Sequence, residues 1–357
     1  MEKKININLD ELQTYRQYDP GDMLLHIRNF PNLCEQAWKV ARGFHLADEY
    51  RKIKKIVILG MGGSAIGGDL IGGLAVNEAS VTVAVCRDYN LPHYVDAETL
   101  VIASSYSGMT EETLSAFTQA CKTPAKKLAI TTGGKLKTLC ESLNIPVFTF
   151  DYKSSPRAAL PFSFFLLLGL LQNLQVLHDK NVEVATTIKE LHALASKINE
   201  QVPSKSNMAK VLADQLNGRL PIIYGAGIMG PVAQRWKTQI NENSKTMAYY
   251  EVFAELNHNA IVGYQLPKMI KECTVVMLDS FLLHERIRLR YEITQKLLEQ
   301  AGIPYQVIRA ESSTPLSQMM ELVFVGDYVS YYLAMLNGVD PSPVKSIDFL
   351  KNSLAGK

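Results

Sequence analysis

The sequence predicts an α/β protein made of two doubly wound, parallel-sheet lobes joined by helices. Three observations carry that prediction. Apolar strand-like runs alternate with helical segments in both halves of the chain, the pattern that parallel sheets with crossover helices require. Two glycine-rich turns, Gly60-Met61-Gly62-Gly63-Ser64-Ala65 and Gly225-Ala226-Gly227-Ile228-Met229-Gly230, each follow an apolar run and open a helix. The elements after the second turn echo those after the first in order and spacing, and 357 residues suit two domains.

The first fifty residues read as helix and loop, broken at Asp19-Pro20-Gly21. Strand-like runs then fall at 56–59, 81–86, 99–103, 127–131 and 146–150, with helices after Ser64, after Thr110 and around 136–143. Residues 158 to 217 read as helical throughout, with an amphipathic stretch at 182–198 and a further helix starting at Pro203-Ser204. The second series places strands at 220–224, 246–250, 273–278 and 305–309. Its helices follow Gly230, run through 284–300 and cover 315–336, and a last one runs from near Pro343 to the C-terminus. The chain thus divides into a helical segment (1–50), a first α/β domain (51–157), a helical connector (158–217) and a second α/β domain (218–357). Residues 158–177 carry no charge, but their strongly apolar part, 162–171, is too short to span a bilayer and reads as a buried helix.

Composition narrows the function. A hydrophobic fraction of 47% with 20% charged residues suits a chain that buries a large core. The balance of 37 basic against 35 acidic residues argues against nonspecific nucleic-acid binding. The N-terminus, Met1-Glu2-Lys3-Lys4-Ile5, lacks the apolar stretch of a signal peptide. Five scattered cysteines with no metal-binding spacing fit a reducing cytoplasm, and no metal or cofactor is implied.

The chemistry concentrates in a few segments. A strand that feeds a glycine turn and a helix N-terminus makes an anion site, because glycine admits close approach and the free N–H groups point at the ligand. Ser104-Ser105-Tyr106-Ser107-Gly108-Met109-Thr110-Glu111-Glu112-Thr113 repeats that context and adds the hydroxyls of Ser105, Ser107 and Thr110. Such a turn can wrap a phosphate without Lys or Arg. A capping box would explain one of the hydroxyls, with Ser107 or Thr110 as the cap, but not all three. The turn from Gly225 to Gly230 matches the dinucleotide fingerprint and the first turn matches its Gly-x-Gly-x-x-Ala form, yet the acidic residues that fingerprint wants, Glu251 and Asp88 respectively, are only loosely placed; close strand–helix packing is the plainer explanation of the glycines. Glu242 in Asn241-Glu242-Asn243-Ser244-Lys245 and His258 in Asn257-His258-Asn259 fall in neighbouring βα regions and are residue types suited to proton transfer. Arg157, at the mouth of the apolar helix, could hold anionic oxygens or make a surface salt bridge.

Taken in order, Gly62-Gly63-Ser64-Ala65-Ile66, Ser105-Tyr106-Ser107-Gly108, Thr110-Glu111-Glu112-Thr113, Asn241-Glu242-Asn243-Ser244-Lys245 and Glu255-Leu256-Asn257-His258-Asn259 resemble the bifunctional phosphoglucose/phosphomannose isomerase family. The likeness runs from about residue 20 to the end of the chain. It implies two sugar isomerase (SIS) domains of flavodoxin-like type. It implies reversible, metal-independent interconversion of glucose 6-phosphate, and of mannose 6-phosphate, with fructose 6-phosphate through a cis-enediol. Glu242 matches the family's proton-transferring Glu, His258 its ring-opening His, and Arg157 the Arg that stabilises the enediolate. A C-terminal Lys also serves ring opening; Lys351 is the match, with Lys345 as the other choice. The phosphate site corresponds to Ser64, Ser105, Ser107 and Thr110 with the Gly63 backbone. The resemblance further implies a cytoplasmic homodimer in which one subunit's His completes the other's site, with the apolar helix at 160–171 expected at the interface. Two departures stand out: Met109 occupies the place of the family's Asn, and the connector is long.

Two other classes compete. A non-catalytic SIS sensor of sugar phosphates would keep the serine turn but could lose Glu242 and His258, and both are retained. A nicotinamide dehydrogenase would use the turn at Gly225. An aminating relative needs an N-terminal glutaminase domain, for which residues 1–50 are too short.

Overall fold

The computed structural model describes residues 7–355. The five N-terminal residues read for an apolar leader, and the last two of the chain, lie outside them. The chain opens with three helices, α1 (Leu12–Tyr18), α2 (Met23–Arg28) and α3 (Phe30–Arg42). The first α/β series follows as β1 (Lys55–Leu59), α4 (Gly62–Ala75), β2 (Thr82–Cys86), β3 (Thr99–Ser104), α5 (Glu111–Ala120), β4 (Lys126–Thr131), α6 (Gly134–Ser142) and β5 (Val147–Thr149). Next come α7 (Leu160–Asn173), α8 (Asn181–Ile198) and α9 (Met208–Leu216). The second series is β6 (Leu220–Gly225), α10 (Met229–Ser244), β7 (Tyr249–Val252), β8 (Cys273–Asp279), α11 (Glu285–Ala301), β9 (Tyr305–Arg309), α12 (Pro315–Leu336) and α13 (Lys345–Ala355).

Among the described residues the nine strands form two wholly parallel sheets, ordered β2-β1-β3-β4-β5 and β7-β6-β8-β9. The first four strands of the first sheet and the four of the second share one order, so the predicted repetition is real. The second series lacks a fifth strand; after β9 the chain enters α12 instead.

Alternating side chains sort the strands between cores, as the two-residue period dictates. Ile56 and Ile58 of β1 enter the central core with α3, α4, α7 and α12. Val57 and Leu59 face the opposite layer with α5 and α6. In the second sheet Ile223, Val276 and Leu278 join the same central core, while Tyr224, Val275 and Met277 pack outward against α11. One central core is therefore shared by both sheets.

One expectation about the apolar helix is corrected and another holds: the stretch at 162–171 is a buried helix, but not at an interface. Every residue of α7 from 160 to 171 is already buried within the chain, so this helix has no face to offer a partner subunit. Gly169 shows why: a Cβ there would lie 2.5 Å from that of Ala41, so α3 and α7 meet at van der Waals contact. Among the described residues the helix long and apolar enough to cross a membrane is α12, not the stretch at 158–177, and it lies buried in the core. Strand β7 begins three residues later than the sequence pattern suggests.

Candidate active site

Helices α4 and α5 pack on opposite faces of the first sheet, so the C-terminal ends of β1 and β3 form a topological switch point, where α/β sheets hold their ligands. The first glycine turn and the serine turn meet there. Ser64 Oγ accepts the Tyr106 N–H at 3.0 Å. Ser105 and Thr110 share a hydrogen bond between their hydroxyls at 2.9 Å. Ser107 is exposed, and its Oγ accepts the Met109 N–H at 3.2 Å. Thr110 is the N-cap residue of α5, but neither it nor Ser107 caps the helix through its side chain, so the capping-box explanation fails and the first-turn N–H groups have no hydroxyl on them. Gly108 is obligatory: its φ is +63°, and a Cβ would lie 1.8 Å from the Gly133 carbonyl oxygen. Met109 turns its sulfur to the Lys135 N–H at 3.4 Å, leaving the hydroxyl cluster as it is.

A second cluster abuts the first. A Cβ on Gly63 would lie 2.7 Å from the Pro156 carbonyl oxygen and 3.2 Å from the Arg157 Cα, so glycine lets the backbone bearing Arg157 rest on the first turn. Arg157 sits in the 3₁₀ turn Pro156–Ala159 and is only 2% exposed. Its Nε donates to Asn243 Oδ1 at 2.7 Å, and its Nη2 donates to the carbonyls of Pro341 and Ser342 at 2.6 and 3.1 Å. Its Nη1 donates to Glu242 Oε2 at 3.4 Å. Burial lowers the guanidinium's pKa, opposed by the Glu242 carboxylate, and an Arg so placed stays charged. Arg157 is thus no surface salt bridge but a buried cation directed at a partly exposed carboxylate.

The sequence did not disclose what holds Arg157. Arg235 donates to the Arg157 carbonyl at 2.9 Å and pairs with buried Asp327 at 3.0 Å. Gln239 donates to the same carboxylate at 2.8 Å. Asn243 donates through Nδ2 to Ser330 Oγ at 3.0 Å. These polar residues point inward from α10 and α12, where helical periodicity marks only a core face; the one local signal is Asn243 in its motif. Lys245 closes the same motif. It ends α10 in a left-handed conformation, φ 58°, and its Nζ donates to the carbonyls of Glu242, Pro341 and Pro343 at 2.6, 3.0 and 2.7 Å. Burial of that ammonium, with the Arg157 charge nearby, pushes its pKa down to about 8.

Beside these groups a cleft of about 640 Å³ is lined by Asn241, Glu242, Lys245, Val339, Pro343 and Lys345, among others. That size lies within the range of about 300–1,000 Å³ usual for small-molecule sites. Lys345, the first residue of α13, therefore shares the cleft with Glu242, whereas Lys351 lies further along the helix, exposed and outside the lining. His258 ends the 3₁₀ turn Glu255–His258 after β7 and is exposed. Among the described residues it makes no hydrogen bond to Glu242 or Arg157. Its neighbours brace it: Asn257 donates to Thr294 Oγ1 at 3.0 Å and Asn259 to Glu255 Oε1 at 2.8 Å. The second glycine turn does not join this site. A Cβ on Gly225 would lie 2.2 Å from the Met229 carbonyl oxygen, the close-packing explanation.

One chain thus unites the serine turn, Gly63, Arg157 and Glu242, and leaves His258 and Lys351 apart. The model of the bacterial phospho-glucose isomerase C-terminal SIS domain matches residues 205–354. A bifunctional phosphoglucose/phosphomannose isomerase of Caldicellulosiruptor bescii is 44% identical over 335 residues, which cover 93% of this chain and 99% of that protein. Another, from Aquifex aeolicus, is 34% identical over 328 residues, covering 90% and 98%. Among solved structures, a hypothetical protein from Thermus thermophilus aligns with a TM-score of 0.73 over 96% of this chain and 92% of that one, at 15% identity, a likeness of fold.

Proposed function

The chain belongs to the bifunctional phosphoglucose/phosphomannose isomerase family, and from that premise we propose that it interconverts glucose 6-phosphate and mannose 6-phosphate with fructose 6-phosphate without a metal. The observation that carries this reading is the Glu242 carboxylate 3.4 Å from the one guanidinium nitrogen of buried Arg157 that the protein leaves for other work. Once the sugar ring is open, Glu242 takes the C2 proton, the C1–C2 double bond forms, and negative charge gathers on the C1 oxygen. Arg157 Nη1 faces that developing enediolate, where a preorganised donor gives its largest benefit. Return of the proton to C1, with the O2 proton passed to O1 so that C2=O forms, gives the ketose. Glucose and mannose 6-phosphates differ only at C2, so loss of the C2 proton from either gives the same enediol. Ser64, Ser105, Ser107, Thr110 and the Gly63 backbone hold the phosphate, and this fixed end orients the reacting carbons.

Ring opening falls to His258 of the partner subunit and to Lys351 in a cytoplasmic homodimer. Both residues lie on segments rich in exposed apolar side chains. Met247, Val262, Leu266 and Met269 flank His258, and Phe349, Leu350 and Leu354 surround Lys351. Such patches suit burial against a second copy. The position of Lys345 in the cleft favours a second reading, in which Lys345 takes the ring-opening role. Alanine substitution at each lysine separates the two. The reaction, being reversible, would serve glycolysis and gluconeogenesis alike.

The test is a coupled assay for fructose 6-phosphate, run from each aldose with and without EDTA. Turnover of both, unaffected by EDTA, is expected. Tight sugar-phosphate binding with no turnover would point to a sensor instead.

A further inference from the structure

Tyr106 stands between two phosphate-turn serines, yet its side chain leaves the turn. Its backbone is fixed there: the N–H donates to Ser64 Oγ at 3.0 Å, and its carbonyl accepts Thr132 Oγ1 at 2.7 Å. Its hydroxyl donates to the Tyr152 carbonyl at 2.6 Å and accepts the Ser154 N–H at 2.9 Å. One hydroxyl therefore grips the backbone on both sides of residue 153, four residues before Arg157. The gripped segment is itself packed. Tyr152 shares a 2.6 Å hydrogen bond with His26 Nδ1 and stacks on Phe162, which stacks on Phe150. Beyond it, Pro156 rests on Gly63.

Resting on the isomerase reading above, we propose that Tyr106 is a positioning residue whose hydroxyl joins the phosphate turn to the Arg157 segment, so that seating the phosphate also aims the guanidinium. The phosphate hydroxyls and the enediolate donor come from separate stretches of chain, and their spacing decides whether a phosphate-anchored sugar presents C1 and C2 to Glu242 and Arg157. Without the hydroxyl, the phosphate hydroxyls stay in place while the loop at 152–157 gains freedom. Misplacement of about 1 Å at a reacting centre can cost about 100-fold in rate.

The experiment is Tyr106→Phe, which keeps the ring and deletes the link. Steady-state kinetics are measured together with melting temperature and affinity for two ligands. Sorbitol 6-phosphate reports the phosphate turn; 5-phosphoarabinonate adds a carboxylate that imitates the enediolate and so reports Arg157. The expected result is a kcat lower by about tenfold, with KM and sorbitol 6-phosphate affinity within about threefold of the parent, and weakened arabinonate binding. Adding Tyr106→Phe to Arg157→Lys should lower kcat by no more than about twofold further, because both changes act on one interaction. Unchanged kcat overturns the proposal. So does a fall of both affinities together with the melting temperature, which would mark a general structural role. If the parent protein does not isomerise, the functional reading fails on its own, and the ratio of the two affinities still reports the link.

Discussion

Of the three guanidinium nitrogens of Arg157, Nε and Nη2 are committed to Asn243, Pro341 and Ser342, and Nη1 faces Glu242. A lysine cannot reproduce that fork from one point charge. Arg157→Lys should therefore lower kcat by about 100-fold, the scale seen for loss of one preorganised donor, in the coupled assay. Glu242→Gln should abolish isomerisation while sugar-phosphate affinity, read by calorimetry, persists; loss of both together would make Glu242 structural. Lys245 predicts a pH effect. Its pKa is brought from the usual 10.5 down to about 8, so the ammonium that binds the Pro341 and Pro343 carbonyls is present below that pH and lost above it. The rate should fall above about pH 8, and Lys245→Arg, which stays charged, should move that limb upward in a pH–rate profile.

Elements reach the site through close contacts that tolerate little change. Gly63 brings α4 against the 3₁₀ turn of Arg157, and a methyl group there would meet the Pro156 oxygen at 2.7 Å. Gly63→Ala should thus reduce kcat/KM by about tenfold or more while circular dichroism shows an unchanged helix content. Helix α7 acts on stability instead. Leu167 is fully buried against the central core, and Leu167→Ala should cost about 2–5 kcal/mol in urea unfolding. Strands and helices were mostly legible because their signals are local. The unbroken apolar run Ile56–Leu59 of β1 and the glycine turn after it are read within a few residues. Strand β7 was misplaced because its residues, Tyr249 to Val252, are exposed and carry no burial pattern.

At the scale of the whole molecule, the two sheets share one core, and the buried polar network behind Arg157 draws on the turn after β5 and on α10 and α12 together. The placement of His258 and Lys351 away from Glu242 leads to a test of the dimer. Glu242→Gln and His258→Ala proteins should each be inactive alone. Mixed after subunit exchange, they should regain about a quarter of the parent activity, since in a twofold dimer half the pairs are mixed and each mixed pair has one intact site. No recovery on mixing would place His258 in its own subunit's site. The sequence by itself determined the α/β class, the repeated series of strands and helices, the serine turn and the family motifs, because each is written in contiguous residues. Only the tertiary structure decided that α7 is buried within its own chain and not against a second subunit, that α12 is the long buried helix, and that Arg157 is a buried, single-nitrogen donor to Glu242. Those outcomes depend on which faces meet. The partners of Arg157 lie about 80 to 180 positions away in the chain, and the desolvation that gives the group its strength exists only once they have closed around it.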